Sequence, residues 1–280
     1  MTLSESQPAS SSQRLSPATR LGHVHLTVAN LERQLVFYQH VLGLRLHWQE
    51  GTTAGLGAGK EDLLRLTELK GARRVRGTTG LYHFALEFPS RRELARALAR
   101  LFALRYPNAP TDHVISKTTY LDDPEGQNIE LYIPSPEDGT WVVQDGELDI
   151  RHTDGRPSDG REPLDVEALL RELHPSDQLD EPVPEGVKLG HVHLYVANLR
   201  DSMHFYRDVL GFEELSMLSR WRAGDVTLNG YLPISLPSIP GRAKGLHRPH
   251  PTVWACSTLR LCSRTRPNWP ASSSASSRRT

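Results

Sequence analysis

Cysteine is nearly missing from this chain: Cys256 and Cys262 are the only two, and both lie near the C-terminal end. That excludes a disulfide framework and a cysteine-based zinc site. No apolar run is long enough to span a bilayer. The opening stretch, MTLSESQPASSSQRLSPATR, lacks the apolar segment of a signal peptide. Residues 1–20 therefore read as a polar, Ser-rich disordered tail, and the cytoplasm as the default compartment. Net charge is missing too. The 33 basic and 33 acidic side chains cancel, which leaves no electrostatic case for nucleic acid or an anionic membrane as partner. What remains is an ordinary globular composition, 38 % hydrophobic and 24 % charged over 280 residues. That is enough for one large or two medium domains.

A repeat organises the chain. Residues 21–46 read LGHVHLTVANLERQLVFYQHVLGLRL, and residues 189–214 read LGHVHLYVANLRDSMHFYRDVLGFEE. Aligned without gaps at an offset of 168, 15 of the 26 positions are identical. Such self-similarity outranks local detail in deciding a fold. In each copy HVHL alternates as a strand does. Asn30 then stands where a helix N-cap belongs. Leu31, Leu35, Tyr38 and Leu42 follow at helical spacing, and Gly43 fits the left-handed position that ends a helix. Asn198, Phe205, Tyr206 and Gly211 hold the matching places in the second copy.

The same pattern nearly recurs inside the first copy. GLYHFALEF (80–88) predicts a strand, Ser90 and Glu93 a capping box, and Leu94, Ala97, Leu98 and Leu101 a helical face. TTYLDDPEGQNIELYI then predicts two strands joined by a turn at Asp123-Pro124-Glu125-Gly126. Residues 21–135 thus read as two consecutive β-α-β-β-β units. Residues 136–188, rich in Asp, Glu, Pro and Gly, read as a linker with one short helix over 163–173 that starts with Pro at its first position.

Three side chains fall at corresponding strand positions: His23, His83 and Glu130. Two imidazoles and one carboxylate on one face of a metal leave positions open for small ligands, a set that suits Fe(II) and also Mn(II). A lone strand histidine is better read as an ordinary half-buried residue. For three together a resemblance decides. LGHVHL, GLYHFAL and DPEGQNIELY, in this order and spacing, resemble the vicinal-oxygen-chelate superfamily of glyoxalases, bleomycin-resistance proteins and extradiol dioxygenases. The similarity is greatest to its two-module members like the catechol 2,3-dioxygenases. It covers residues 21–135 in full and about 190–233 in part. It implies an α+β fold in which paired β-α-β-β-β units form a cupped mixed sheet around a metal. Module one (21–135) would be complete and module two (189–233) incomplete. It also implies ligands at His23, His83 and Glu130, with Fe(II) favoured and Mn(II) the alternative.

His25 competes with His23, since residues two apart share a strand face. The resemblance implies a role for Tyr120 beside substrate or an oxygen intermediate; a packed aromatic is the even alternative. His113 is a candidate acid–base group, or an exposed loop residue. Asp122, Asp123 and Glu125 read as turn and surface residues. Glyoxalase I-like members use a fourth ligand near the end of unit one, where this chain has Arg65, which offers no lone pair; Glu68 nearby keeps that alternative open. The resemblance thus implies an extradiol ring-cleaving dioxygenase acting on a small aromatic with O2. The alternatives are a glyoxalase-like isomerase or lyase, and a metal-free small-molecule-binding protein of the resistance type.

After about Pro233 the repeat is lost in a Ser-, Arg- and Pro-rich stretch (234–280) that reads as a disordered tail. A second reading comes from the genetic code. From Pro251 onward, the third base of each codon joined to the first two of the next can encode HGLGLLYFTLVLPDAAELARVL. This aligns without a gap to GLYHFALEFPSRRELARAL at 80–98, and the Gly spanning Trp254 and Ala255 is forced. The position matching His83 is Tyr or His, depending on one base. A frameshift near Pro233 follows as an expectation, with loss of the later half of module two, low order after residue 233 and poor solubility.

Overall fold

A computed structural model describes residues 14–75, 77–144, 147–218, 222–228, 231–238 and 256–262. Three β-α-β-β-β units follow one another. Unit one is β1 (Arg20–Val28), α1 (Leu31–Val36), β2 (Arg45–Glu50), β3 (Thr53–Gly57) and β4 (Leu64–Glu68). Unit two is β5 (Gly80–Glu87), α2 (Arg91–Ala103), β6 (Ala109–Asp112), β7 (Ser116–Asp122) and β8 (Asn128–Pro134). The intervening segment carries β9 (Gly139–Gln144), β10 (Glu147–His152), β11 (Pro157–Ser158), β12 (Glu162–Pro163) and α3 (Val166–Leu170). Unit three is β13 (Lys188–Tyr195), α4 (Leu199–His204), β14 (Glu213–Leu218), β15 (Ala223–Leu228) and β16 (Tyr231–Pro237), and β17 (Cys256–Cys262) comes last.

The local signals act as their chemistry predicts. Asn30 accepts from Arg33 N at 2.8 Å and Asn198 from Asp201 N at 3.3 Å, each taking up an orphan amide at a helix start. Ser90 accepts from Glu93 N at 3.2 Å, one half of the expected capping box, while the Glu93 carboxylate accepts from Arg96 at 2.7 and 3.0 Å. α1 and α4 each continue into a π-helical turn, Phe37–Val41 and Phe205–Val209. The chain then reverses at Gly43 and Gly211, whose φ values of +81° and +89° suit a residue without Cβ.

The units do not pair as expected. Units one and two, consecutive in sequence, lie in different sheets. Unit two joins unit three in a nine-stranded sheet of order β12-β6-β7-β8-β5-β13-β16-β15-β14, with the seam at the antiparallel pair β5 and β13. Unit one forms a five-stranded sheet, β17-β1-β4-β3-β2. One apolar cluster joins all three units, from Val24, Leu64 and Leu66 through Phe84, Leu98, Ile129 and Leu131 to Val192, Met203 and Ile234. Burial of these side chains supplies the main favourable free energy of the fold.

Three further expectations are corrected. The segment 136–188 is structured: β9, β10 and β11 make a sheet, and β12 extends the edge of unit two beside β6. Its helix starts at Asp165, which accepts from Ala168 N at 2.8 Å, while Pro163 lies in β12. Order does not end at 233, because β16 and β17 form beyond it; residues 239–255 and 263–280 lie outside the described residues. At the other end, Leu15 N donates to Gly211 O at 3.2 Å, so residues 14–19 lie against unit three. Residues 1–13 of the expected tail lie outside the described residues.

Candidate metal centre

The seam between units two and three brings the chemistry together. Alternation on β5 turns His83 inward, and alternation on β13 turns His191 and His193 to the same side. In the seam His193 stands opposite His83, and His191 opposite Ala85. Glu130 comes from β8, whose parallel pairing with β5 places it beside Ala85. His83 Nε2 lies 3.2 Å from Glu130 Oε2, and His191 Nε2 lies 3.0 Å from the same oxygen. The His83 and His193 rings stack at 4.0 Å. Among the described residues, His83, His191 and His193 form a group whose ligand atoms all lie within 4.8 Å of one another. Gly190, just before His191, leaves room for Tyr132: a Cβ there would fall 2.2 Å from its hydroxyl.

Glu130 is 3 % exposed and His83 is 2 % exposed. Burial alone would keep Glu130 protonated, but His191 and His83 outweigh it and hold the carboxyl well below the usual range. Burial lowers His83 against the opposing pull of Glu130, and lowers His193 further, with His83 and His191 adding to the effect. The centre therefore holds an ionised Glu130 carboxylate, with His83 and His193 biased toward the neutral imidazole, the protonation states in which such groups bind metal. Thr118 Oγ1 donates to Glu130 Oε1 at 2.9 Å and so orients the carboxylate.

A divalent ion fits these residues. Both ring nitrogens of His83 are buried without a hydrogen bond of adequate geometry, and a buried polar atom left unmatched is costly. His83, His191 and Glu130 converge from two units and would hold the ion; one carboxylate offsets part of its charge in a buried setting. His193 is their immediate neighbour.

His23 is not part of this group. It sits on β1 in the other sheet, 8 % exposed. Its counterpart in the repeat, His191, stands beside Glu130 instead. The signal was in the sequence, since HVH occurs in both copies, but choosing between the copies requires knowing which unit pairs with unit two. His25 bonds Thr67 Oγ1 at 2.8 Å, within unit one.

The fourth-ligand question moves as well. Glu130 faces Ala85 across β8 and β5, Arg65 faces His25 across β4 and β1, and Ser235 faces His193 across β16 and β13. Arg65 is committed to Asp62 at 2.8 Å and to the face of Trp48. Glu68 accepts from Leu31 N at 2.9 Å at the start of α1. In the sheet that contains the centre, the corresponding place belongs to Ser235, whose hydroxyl donates to Asp225.

Tyr120 pairs directly with Glu130 across β7 and β8, and its ring lies 5.7 Å from His83. Burial first, and Glu130 second, push its phenol far above the ordinary value, so it keeps its proton. His113 is no free loop residue. Its Nδ1 bonds the Gly160 carbonyl, which can only accept. Nε2 is then left to accept from Tyr120 Oη at 2.9 Å.

The acidic turn has a different task from the surface role expected. Asp123 is 4 % exposed and accepts from Tyr38 Oη at 3.0 Å and from the amides of Glu125 and Gln127 at 2.8 and 2.9 Å. Glu125 accepts from the amides of Ala29 and Asn30 at 2.8 and 3.0 Å. Together they clamp the start of α1 onto unit two.

The model of the Glyoxalase/Bleomycin resistance protein/Dioxygenase superfamily matches residues 20–131 and 188–258. A catechol-2,3-dioxygenase of Bacillus subtilis (strain 168) is 37 % identical over 216 residues, which cover 76 % of this chain and 72 % of that one. A lactoylglutathione lyase of Neisseria meningitidis serogroup A is 33 % identical over 122 residues, 40 % of this chain and 88 % of that one. Among solved structures, a "putative dioxygenase" from Bacillus subtilis subsp. subtilis str. 168 matches with a TM-score of 0.51 at 16 % identity. That match covers 81 % of this chain and 64 % of the other, a likeness of fold. No helix among the described residues is long and apolar enough to cross a membrane.

Proposed function

The chain belongs to the glyoxalase/bleomycin resistance protein/dioxygenase superfamily, and within it we propose an extradiol-type ring-cleaving dioxygenase acting on a catechol-type substrate with O2. Its metal is Fe(II), with Mn(II) the alternative, held by His83, His191 and Glu130. The observation that carries this reading is the convergence of two imidazoles on one buried, ionised carboxylate at the seam of two units. Two imidazoles and a carboxylate are the set suited to ferrous oxygen chemistry, and the similarity to a catechol-2,3-dioxygenase supports the substrate class. When bound, such an ion supplies a Lewis-acidic, redox-active centre with positions open to small ligands.

The chain's own residues supply the rest. Thr118 fixes Glu130. Tyr120 holds a proton at Oη beside the centre, where it can stabilise developing negative charge on oxygen. His113, locked by Gly160, accepts from that hydroxyl and so orients it. Ser235, in the place corresponding to Glu130, favours three protein ligands over the four of a glyoxalase I-like isomerase.

The test is anaerobic expression of the full chain with Fe(II), metal quantification, and a catechol panel in an oxygen electrode. About one iron per chain, O2 uptake and a yellow ring-fission product, all lost in His83→Ala, are expected. Bound metal without uptake would favour the isomerase. No bound metal would remove the centre and leave a binding protein.

A further inference from the structure

The free edge of a β-sheet exposes a row of unpaired backbone N–H and C=O groups, a template for another strand. Natural sheets guard such edges with charged side chains, with proline, or by keeping the edge strand short. The described residues leave six edges, one at each end of the three sheets. Five are guarded. β2 carries Arg45 and Glu50, β14 carries Glu213 and Glu214, and β17 carries Arg260. β11 and β12 are two residues long, and each contains a proline, Pro157 and Pro163. β9, GTWVVQ, has neither a charge nor a proline over its six residues.

What β9 presents instead is apolar surface. Gly139 is the one buried residue of the strand. Trp141 is 40 % exposed, Val142 is 50 % exposed and Val143 is 38 % exposed. Strand alternation puts Val142 on one face and Trp141 and Val143 on the other, so neither face is packed on a core. Trp141 is nonetheless held in place. Its Nε1 donates to the His113 carbonyl at 2.9 Å, and its ring meets the His113 ring edge-on at 6.4 Å. A large aromatic that is already ordered is the kind of side chain that anchors an interface.

We propose that β9 is a dimer interface, in which it pairs antiparallel with β9 of a second copy and joins the two three-stranded sheets into one of six strands. The strand is complementary to itself. With the twofold axis at Val142, Val142 faces its own copy, Trp141 of one copy faces Val143 of the other, and Thr140 faces Gln144. The apolar pairs then lie at the centre and the polar pairs at the rim, and no like charges oppose one another. The zero formal net charge of the chain leaves no long-range repulsion between copies. The inference uses none of the metal ligands and stands apart from the proposed function.

Unit three offers a rival surface. Phe205 is 45 % exposed and Val209 is 61 % exposed, whereas Phe37, the copy of Phe205 in unit one, is 2 % exposed. That face is helical and presents side chains alone, so it serves as the control.

The experiment follows the full chain by size-exclusion chromatography with light scattering over a dilution series at micromolar concentrations. The expected mass is twice that of one chain. Val142→Lys sets two ammonium groups against each other at the axis, and it is expected to weaken the dimer by roughly 100-fold or more while the circular dichroism spectrum stays the same. Val209→Lys is expected to leave the dimer intact. A chain that is monomeric throughout the series overturns the proposal, as does a dimer that survives Val142→Lys or one that Val209→Lys dissociates. Amide hydrogen exchange of the unaltered chain gives a check that needs no variant. Peptides covering residues 139–144 are expected to exchange more slowly where the dimer forms, and exchange there that is independent of concentration overturns the proposal.

Discussion

Thr118→Val reaches the centre without touching a ligand. Thr118 is fully buried, and its hydroxyl lies 2.9 Å from Glu130 Oε1 and 3.1 Å from the Leu131 carbonyl. Valine keeps the β-branch that suits the strand but removes the donor. A hydrogen bond to a charged group contributes about 1.5–3 kcal/mol, and each 1.4 kcal/mol or so is tenfold in an equilibrium constant. If the hydroxyl orients the carboxylate toward the ion, metal affinity falls by roughly 10- to 100-fold, the usual effect of losing a group that positions a ligand. The assay is anaerobic competition for Fe(II) against a chromophoric chelator, with circular dichroism to show that the variant is folded. Thr118→Ser, which keeps the hydroxyl, should recover most of the affinity. A folded Thr118→Val with unchanged affinity, or a serine variant that loses as much as valine, would refute the positioning role.

Other expectations are separate. Tyr120→Phe should retain bound iron and lower turnover by roughly 100-fold, the scale of losing a positioned proton donor; unchanged turnover would make Tyr120 a packing residue. Phe37→Ala should cost about 3–5 kcal/mol as a core truncation, and Phe205→Ala about 1 kcal/mol, because nearly half of that ring is already in water. Equal costs in urea unfolding would contradict the asymmetry between units one and three. Asp62 is held below its ordinary 3.8: burial opposes this, but hydrogen bonds from His47, Arg65 and Trp48 prevail. Its folded value is depressed, so its contribution to stability is present above about pH 4 and lost as pH falls through the folded value. Asp62→Asn should therefore flatten the acid limb of a melting-point series, and an unchanged slope there would count against the network.

Local features were legible where local physics decides them. The caps at Asn30, Ser90 and Asn198, the reversals at Gly43 and Gly211, and the strands bearing His83 and Glu130 follow from side-chain chemistry within a few residues. Pairing between units does not. The strands bearing His23 and His191 are nearly identical, so nothing local says which one lies beside β5; shape and core packing across the whole chain decide that. The expectations for His23 and Arg65 share this origin, because both took adjacent units to share a sheet, whereas β1 and β4 lie in one sheet and the strands bearing His83, His191 and Glu130 in another. The Asp123–Glu125 turn looked like surface for the same reason, since its partners Ala29, Asn30 and Tyr38 lie more than eighty residues away. The β9–β11 sheet was hidden in a stretch whose Gly, Asp and Pro content reads as linker.

The central claim is that the centre joins units two and three. Metal content of His191→Ala measured beside His23→Ala tests it most directly, each purified anaerobically with Fe(II) and compared with the unaltered chain. The account predicts that His191→Ala loses the iron and that His23→Ala keeps it. Iron retained by His191→Ala and lost from His23→Ala would contradict the account and return the centre to module one.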